Sequence, residues 1–382
     1  MTLTTDQEFE FTEDLAELRA MVREFCQEVS PESVVRETMD TDAGWDPALW
    51  RRLGSELGVL GLAVPEAYGG DDAGLVAQAV AVEELGAALV CGPVLGTLCL
   101  AMPALTAISD EKAKAELLPP LCSGEKAATL VAPLWDGGLD ADAVQVAATD
   151  LGTGWQLVGE VAQVPDGAAA DTLLVVATTG AGLALFAVAG DADGVSRTPL
   201  TTLDLTRRQA AVSFDRSSAR LLAVGDEAVA ACEHAARTAA ALLAVEQVGG
   251  AQRMLDITVA HVSTRKQFGQ PVGAYQAVKH RCANMLIAVE TARSAAYHAA
   301  WALQDGLDDP QLAASLARAV ASEAYEWVAA SAIQMHGGLG FTWEGSPHLY
   351  FKRATTDGLV LGSATQHLDR VAVLAIDTLV RA

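Results

Sequence analysis

The hydrophobic period of this chain changes twice, and nothing else in the sequence limits its architecture as strongly. From Thr12 to about Leu118 apolar residues recur every three or four positions; from about Ala127 to Leu222 they gather into short β-prone runs; after Gly225 the helical period returns. Helical, β and helical segments in that order predict three domains in one α+β subunit: an N-terminal helical domain (1–126), a middle antiparallel β domain (127–224) and a C-terminal four-helix bundle (225–382). At 382 residues the chain exceeds what one hydrophobic core usually serves.

Local signals fill in the plan. In "TEDLAELRAMVREFCQEV", Leu15, Leu18, Met21, Val22 and Phe25 form the stripe of an amphipathic helix, with Thr12 placed to cap it. Pro65, Gly69 and Gly70 force a loop before helical spacing resumes at Leu75. The runs "AVQVAAT", "WQLVGEVAQV", "TLLVVAT", "LALFAVAG" and "QAAVSFD" read as strands joined by "DLGTG" and "PDGAAAD". The long Ala-rich helices that follow break at 265–274, 305–310 and 336–347.

Composition excludes several functions. Against 49 Asp and Glu there are 25 Lys and Arg, a net charge of −24, so no basic stripe is available for nucleic acid. The six cysteines lack CxxC spacing, and His280, His298, His336, His348 and His367 have no partner acid at ligand spacing, so no metal site is expected. There is no GxSxG nucleophile elbow. The acidic start "MTLTTDQEFEFTEDL" lacks the apolar region of a secretory signal, and no 18-residue apolar run is free of charges or turns. Reduced thiols, no membrane span and a cytoplasmic location are the expectations.

Two stretches carry chemistry. In "TRKQFGQPVGAYQAVKHRCANM" (264–285) Arg265 can fork two donors onto phosphate oxygens, Gln267 and Gln276 bring amides, and Phe268 offers an aromatic wall beside Gly269. The plain alternative is a helix–loop–helix corner with a solvated arginine. In "IQMHGGLGF" (333–341) Gly337 and Gly338 permit close backbone approach at a helix end, with Gln334 beside them; a simple glycine cap gives the same pattern.

Together with "ELGVLGLAVPEAYGG" and "QMHGGLGFTWEGSPHLYFKRA", these stretches resemble the acyl-CoA dehydrogenase family over most of the chain. The resemblance implies FAD, an acyl-CoA thioester from fatty acid or sterol side-chain catabolism, a homo- or hetero-tetramer, and an electron-transfer flavoprotein as electron acceptor. It implies FAD contacts for Arg265, Gln267, Phe268, Tyr275 and Gln276, for Gln334, Met335, His336, Gly337 and Gly338, and for Thr365 and Gln366. The Arg265 and Gln334–Gly338 segments would reach across to the flavin of a neighbouring subunit. The family's glutamate base, however, falls on Gly362, its alternative position on Ala239 with Ala240 beside it, and the flavin-cradling loops read "APLWDGGLDAD" (132–142) and "AQVPDGAAAD" (162–171).

Three readings follow: a subunit that completes the FAD site of a second, catalytic acyl-CoA dehydrogenase-like chain; a homomeric enzyme with Glu246 as a relocated base; or an FAD-free scaffold. Glu246 lies seven residues past Ala239, about 10 Å along a helix. Its structural alternative is an ion pair with Arg253 at i+7 or a cap on a neighbouring element.

Overall fold

Thr12 caps the first helix as its position predicts, its hydroxyl accepting the Leu15 N–H at 3.3 Å. The computed structural model describes residues 11–134, 138–306 and 308–381. Six helices form the first unit: α1 (Glu13–Val29), α2 (Glu32–Met39), α3 (Pro47–Ser55), α4 (Leu75–Ala87), α5 (Met102–Thr106) and α6 (Glu111–Cys122). Asp46 and Asp110 cap α3 and α6 through the Ala48 and Ala113 N–H groups. Between α4 and α5 runs a fully buried π-helical stretch, Val94–Ala101. On α1 the buried side chains are Val22 and Cys26, with Leu15, Leu18 and Phe25 at the edge of the core, while Met21 points outward.

Seven strands make the middle unit: β1 (Ala128–Val131), β2 (Ala147–Asp150), β3 (Trp155–Pro165), β4 (Thr172–Thr179), β5 (Gly182–Ala189), β6 (Val195–Pro199) and β7 (Gln209–Val224). Pairings run β4–β5–β7–β3–β2 and return to β4, so the sheet closes on itself, with β1 and β6 added to β4 and β7. Antiparallel ladders dominate, as the turn-linked runs predict. The exceptions are β1 beside β4 and the Ala147–Thr178 closure, both parallel. β1 enters from the helical unit rather than through a hairpin, so nothing obliges it to run against its neighbour.

The third unit is α7 (Asp226–Thr264), α8 (Gln276–Asp305), α9 (Pro310–His336), α10 (Pro347–Asp357) and α11 (Ala364–Arg381). A short hairpin, Lys266–Gln267 paired with Gln270–Pro271, turns α7 into α8. Among the described residues α7 is the one helix long and apolar enough to cross a membrane, and its most apolar window is mostly buried inside the fold. Alanines along α7, α8 and α9 let the three helices pack closely; most are under 5% exposed.

α4 and α7 meet backbone to backbone. A Cβ on Gly249 would run into the Glu83 carbonyl, and one on Gly86 into the Glu246 carbonyl. Gly249→Ala is therefore expected to destabilise the fold by about 1–3 kcal/mol in chemical denaturation, the usual cost of overpacking. At Gly338 an added Cβ meets nothing within 4 Å, so Gly338→Ala should change stability by no more than about 0.5 kcal/mol.

Candidate functional site

Because α7, α8 and α9 alternate in direction, the end of α7, the start of α8 and the end of α9 share one end of the bundle. The rings of His261 on α7 and His336 on α9 stack there, centroids 4.3 Å apart. Burial lowers the His261 pKa, and the neighbouring His336 and Arg265 lower it further. Arg265, Gln267 and Gln276 are exposed, and Phe268 holds its ring 93% exposed on a backbone at φ 50°. Tyr275 donates its hydroxyl to the Gln267 carbonyl at 3.3 Å. Gln334, Gly337 and Gly338 are exposed beside half-buried Met335 and His336, Gly337 sits at φ 61°, and a Cβ on either glycine would meet open space. The two stretches singled out in the sequence thus form one open corner offering a guanidinium, three amides, an aromatic face and bare backbone.

Thr365 and Gln366 lie elsewhere. Both are exposed at the start of α11, where Gln366 Oε1 accepts the Ser363 N–H and hydroxyl at 2.9 Å while Ser363 Oγ accepts the Gln366 N–H at 3.3 Å. That reciprocal capping box starts the helix. The same loop is fastened to α9 by Arg318, which donates to the carbonyls of Asp357, Val360 and Gly362 at 2.6, 2.8 and 3.3 Å. Arg318 precedes His336 by 18 positions on one helix, so the loop and the open corner stand about 27 Å apart along α9.

Glu246, seven residues past Ala239 on α7, belongs to a buried ion cluster. Glu246 pairs not with Arg253 but with Arg207, from the loop that leads into β7, and with Arg353 of α10 at 2.5 Å. The i+7 residue lies two turns along the same helix, whereas the two guanidiniums arrive from facing elements. Arg353 also binds Asp204 at 2.7 Å and the Thr206 hydroxyl and carbonyl at 2.6 and 2.9 Å. Asp204 in turn accepts the Thr206 N–H and hydroxyl. Arg207 Nε is 2.9 Å from Asp357 Oδ1 without hydrogen-bond alignment, so that carboxylate has charge proximity but no donor. All five side chains are at most 4% exposed.

Burial would push the Glu246 carboxyl up, but Arg207 and Arg353 together outweigh it and hold its pKa below the usual value. The space left beside Glu246 is about 10 Å³, the lower limit for one water. Glu246 is thus held as an anchored anion between two guanidiniums.

Of the two loops that would cradle a flavin, the one at 162–171 is fully described and is tightly packed. Residues 165–171 fold onto the π-helical stretch, the buried Asp166 carboxylate accepting the Gly96 N–H at 2.8 Å from a backbone at φ 54°. Thr129 donates to the Pro165 carbonyl at 2.7 Å, and Gln163 and Gln209 join their amides across the remaining gap. Pro165 and Pro133 have no N–H to offer a ring. The void walled by Leu130, Ala132, Gln163, Pro165, Val360 and Leu361 is about 20 Å³, far below the roughly 300–1,000 Å³ of ligand pockets. Trp135, Asp136 and Gly137 of the 132–142 loop lie outside the described residues.

Of the histidines noted in the sequence, His367 contacts the Leu361 carbonyl at 2.9 Å, His298 contacts Asp308 at 2.8 Å, and His348 packs edge-on against Trp343. Sequence reasoning missed Asp204, Arg207, Arg318, Arg353 and Asp357. The one local signal was the polar run "DLTRR" at the start of an apolar strand.

The cluster makes stability depend on pH. Burial pushes the Asp357 carboxyl up to about 7, with the Arg207 charge acting against it, and burial pushes Asp166 up to about 6. A carboxyl whose folded pKa is raised contributes stability that is fully present below the unfolded value and is lost as pH rises through the folded one. Glu246 acts in the opposite sense, and only at acid pH. We expect stability to fall as pH rises through 6 and 7, and Asp357→Asn to remove the upper part of that slope while leaving the Asp166 part, in denaturation curves measured across pH.

Comparison with known proteins agrees with this plan. The family model described as acyl-CoA dehydrogenase, N-terminal domain, matches residues 12–125, and that described as acyl-CoA dehydrogenase, C-terminal domain, matches residues 230–373. A relative from Mycolicibacterium smegmatis, acyl-CoA dehydrogenase IpdE2, is 34% identical over 94% of this chain and 98% of its own length. Similar solved structures include a chain of a variant of the Tcur3481-Tcur3483 steroid ACAD (TM-score 0.85, 32% identity, 96% and 99% of the two chains covered). A chain of the ChsE4-ChsE5 complex from Mycobacterium tuberculosis also matches (TM-score 0.85, 30% identity, 96% and 98% covered).

Proposed function

Since the chain belongs to the acyl-CoA dehydrogenase family, we propose that it is the flavin-completing, non-catalytic subunit of a two-chain acyl-CoA dehydrogenase. The family is one of oxidoreductases acting on CH–CH bonds, and FAD is the cofactor that membership indicates. The observation that carries the reading is the contrast between two regions of this one fold. Where its own flavin ring would lie there is about 20 Å³, and the open corner at the end of the bundle stands free.

The residues of the corner suit FAD held by a neighbour. Arg265 would put a fixed charge and paired donors on the diphosphate, Gln267, Gln276 and Gln334 would meet its polar edges, and Phe268 and Tyr275 would flank it. Gly337 and Gly338 would admit the dinucleotide against bare backbone, with Met335 and His336 behind. When bound, FAD supplies the hydride acceptor for α,β-dehydrogenation of the thioester. This chain's own half does not fit the ring, so Thr365 and Gln366, which belong to that half, serve only the start of α11. Exposed Leu339, Phe341 and Trp343 follow the corner in sequence, exposed Leu286, Ile287 and Trp327 lie further along α8 and α9, and all suit burial against the partner chain.

Two of the similar structures are named as assemblies of two different chains, and one as a steroid ACAD. On that basis the partner is a second acyl-CoA dehydrogenase-like chain and the substrate a steroid-derived acyl-CoA; the family resemblance adds a hetero-tetramer and an electron-transfer flavoprotein as acceptor, and the sequence expectation of reduced thiols adds the cytoplasm.

Purified alone, the chain should carry no flavin absorbance and desaturate no acyl-CoA; purified with its partner, the complex should hold one flavin per pair of chains. One flavin on every chain would overturn the proposal. Arg265→Ala in the complex should weaken FAD binding about tenfold to a hundredfold, the loss of charge-assisted hydrogen bonds of about 1.5–3 kcal/mol. Glu246→Gln separates this reading from the relocated base. We expect a lower melting temperature with turnover per folded complex retained, whereas a catalytic Glu246 requires loss of α-proton exchange with the fold intact.

A further inference from the structure

A second cavity, of about 250 Å³, lies between the N-terminal helices and α7. It shares no lining residue with the ion cluster or with the collapsed flavin space. Its walls are mostly hydrocarbon: Leu60 from the loop after α3, Leu75 of α4, Leu98 and Met102 around the π-helical stretch, and Leu242 of α7. No Lys, Arg, Asp or Glu lines it.

One wall carries an unanswered polar group. Thr238 of α7 is 3% exposed, and its hydroxyl has no hydrogen-bond partner among the described residues. A helical threonine ordinarily turns this group back onto the carbonyl four residues earlier; here it does not. His234 lies one turn earlier on the same face and lines the same space. Burial, helped by Arg237, lowers its pKa, so near neutral pH the ring is uncharged and each nitrogen can serve as donor or acceptor according to tautomer. At the mouth, the exposed Gln304 accepts the Val76 N–H at 3.1 Å.

Apolar cavities smaller than this stay dry and accept small hydrocarbons. At about 30 Å³ for each water-sized group, this one has room for about eight non-hydrogen atoms. A carboxylate or phosphate placed here would be desolvated with no cation to answer it. A buried hydroxyl next to a neutral imidazole instead suits one uncharged oxygen.

We propose that this cavity is a binding site for a small neutral lipophilic molecule bearing one hydroxyl or carbonyl group. The hydrocarbon part fills the leucine-lined space while the oxygen meets Thr238 and His234. The site stands apart from the flavin-completing role and is tested independently of it.

The probe is 1-heptanol, titrated into the full-length chain and followed by thermal unfolding and by ligand-observed NMR. We expect a saturable rise in melting temperature, with heptanoate, charged at neutral pH, binding at least about tenfold more weakly. Thr238→Val should raise the melting temperature of the free protein, because an orphaned buried hydroxyl is gone, and weaken heptanol binding about tenfold. A purely structural Thr238 gives the first effect without the second. Met102→Trp should abolish binding by filling the space, and Leu98→Phe repeats that test if the tryptophan variant does not fold. No saturable heptanol binding, equal binding of heptanoate, or unchanged affinity in Thr238→Val would each overturn the proposal.

Discussion

The ion cluster around Glu246 is the constraint on which the rest of this fold depends. Arg207 and Asp204 arrive from the loop between β6 and β7, Glu246 from α7, and Arg353 and Asp357 from α10, so one set of charges ties the middle unit to the bundle. None of these groups could stay charged in the interior alone, because desolvating an isolated ion costs far more than a fold has to spare. Each therefore requires the others. Removing one partner from such a set typically costs about 3–5 kcal/mol, since it leaves its counterion stranded. The cluster need not make the protein more stable than an apolar core would; it favours the one relative placement of middle unit and helices in which these opposite charges meet.

That placement decides the fate of the loop between α10 and α11. Leu361 and Gly362 follow each other at φ 60° and 100°, conformations that side chains adopt only under strain. Arg318 holds them by binding the carbonyls on both sides, and His367 holds Leu361 from the other direction. At Gly362 the backbone suits a residue without a side chain. A glycine at this position is therefore part of how the loop is built, together with the capping serine that follows it.

What could be read from the sequence was what is local. A threonine before an apolar stripe, a Pro-Gly-Gly loop, a paired glycine at a helix end and a change of hydrophobic period all act within a few residues, and each appeared where its chemistry put it. β1 was not legible, because four buried residues in a row look the same in a strand and in a helix. β6, "VSRTP", was too polar to read as a strand. The ion cluster was invisible for a different reason. Its members lie between 204 and 357 in sequence, and an arginine on a helix looks the same whether solvent or a buried carboxylate awaits it. The choice of Arg253 as partner for Glu246 relied on chain distance, while the real partners come from other elements.

The distance between the two regions separates the open corner from the packed interior. Arg318, which fastens the strained loop, and His336, which stacks in the corner, sit on the same helix about 27 Å apart. Side chains that far apart with no shared partner respond to change independently. The ions could fill one region without moving the Arg265 guanidinium or the glycines at 337 and 338. A rigid bundle that fixes three chain ends at one place therefore keeps the corner's geometry whatever occupies the interior two-thirds of a helix away.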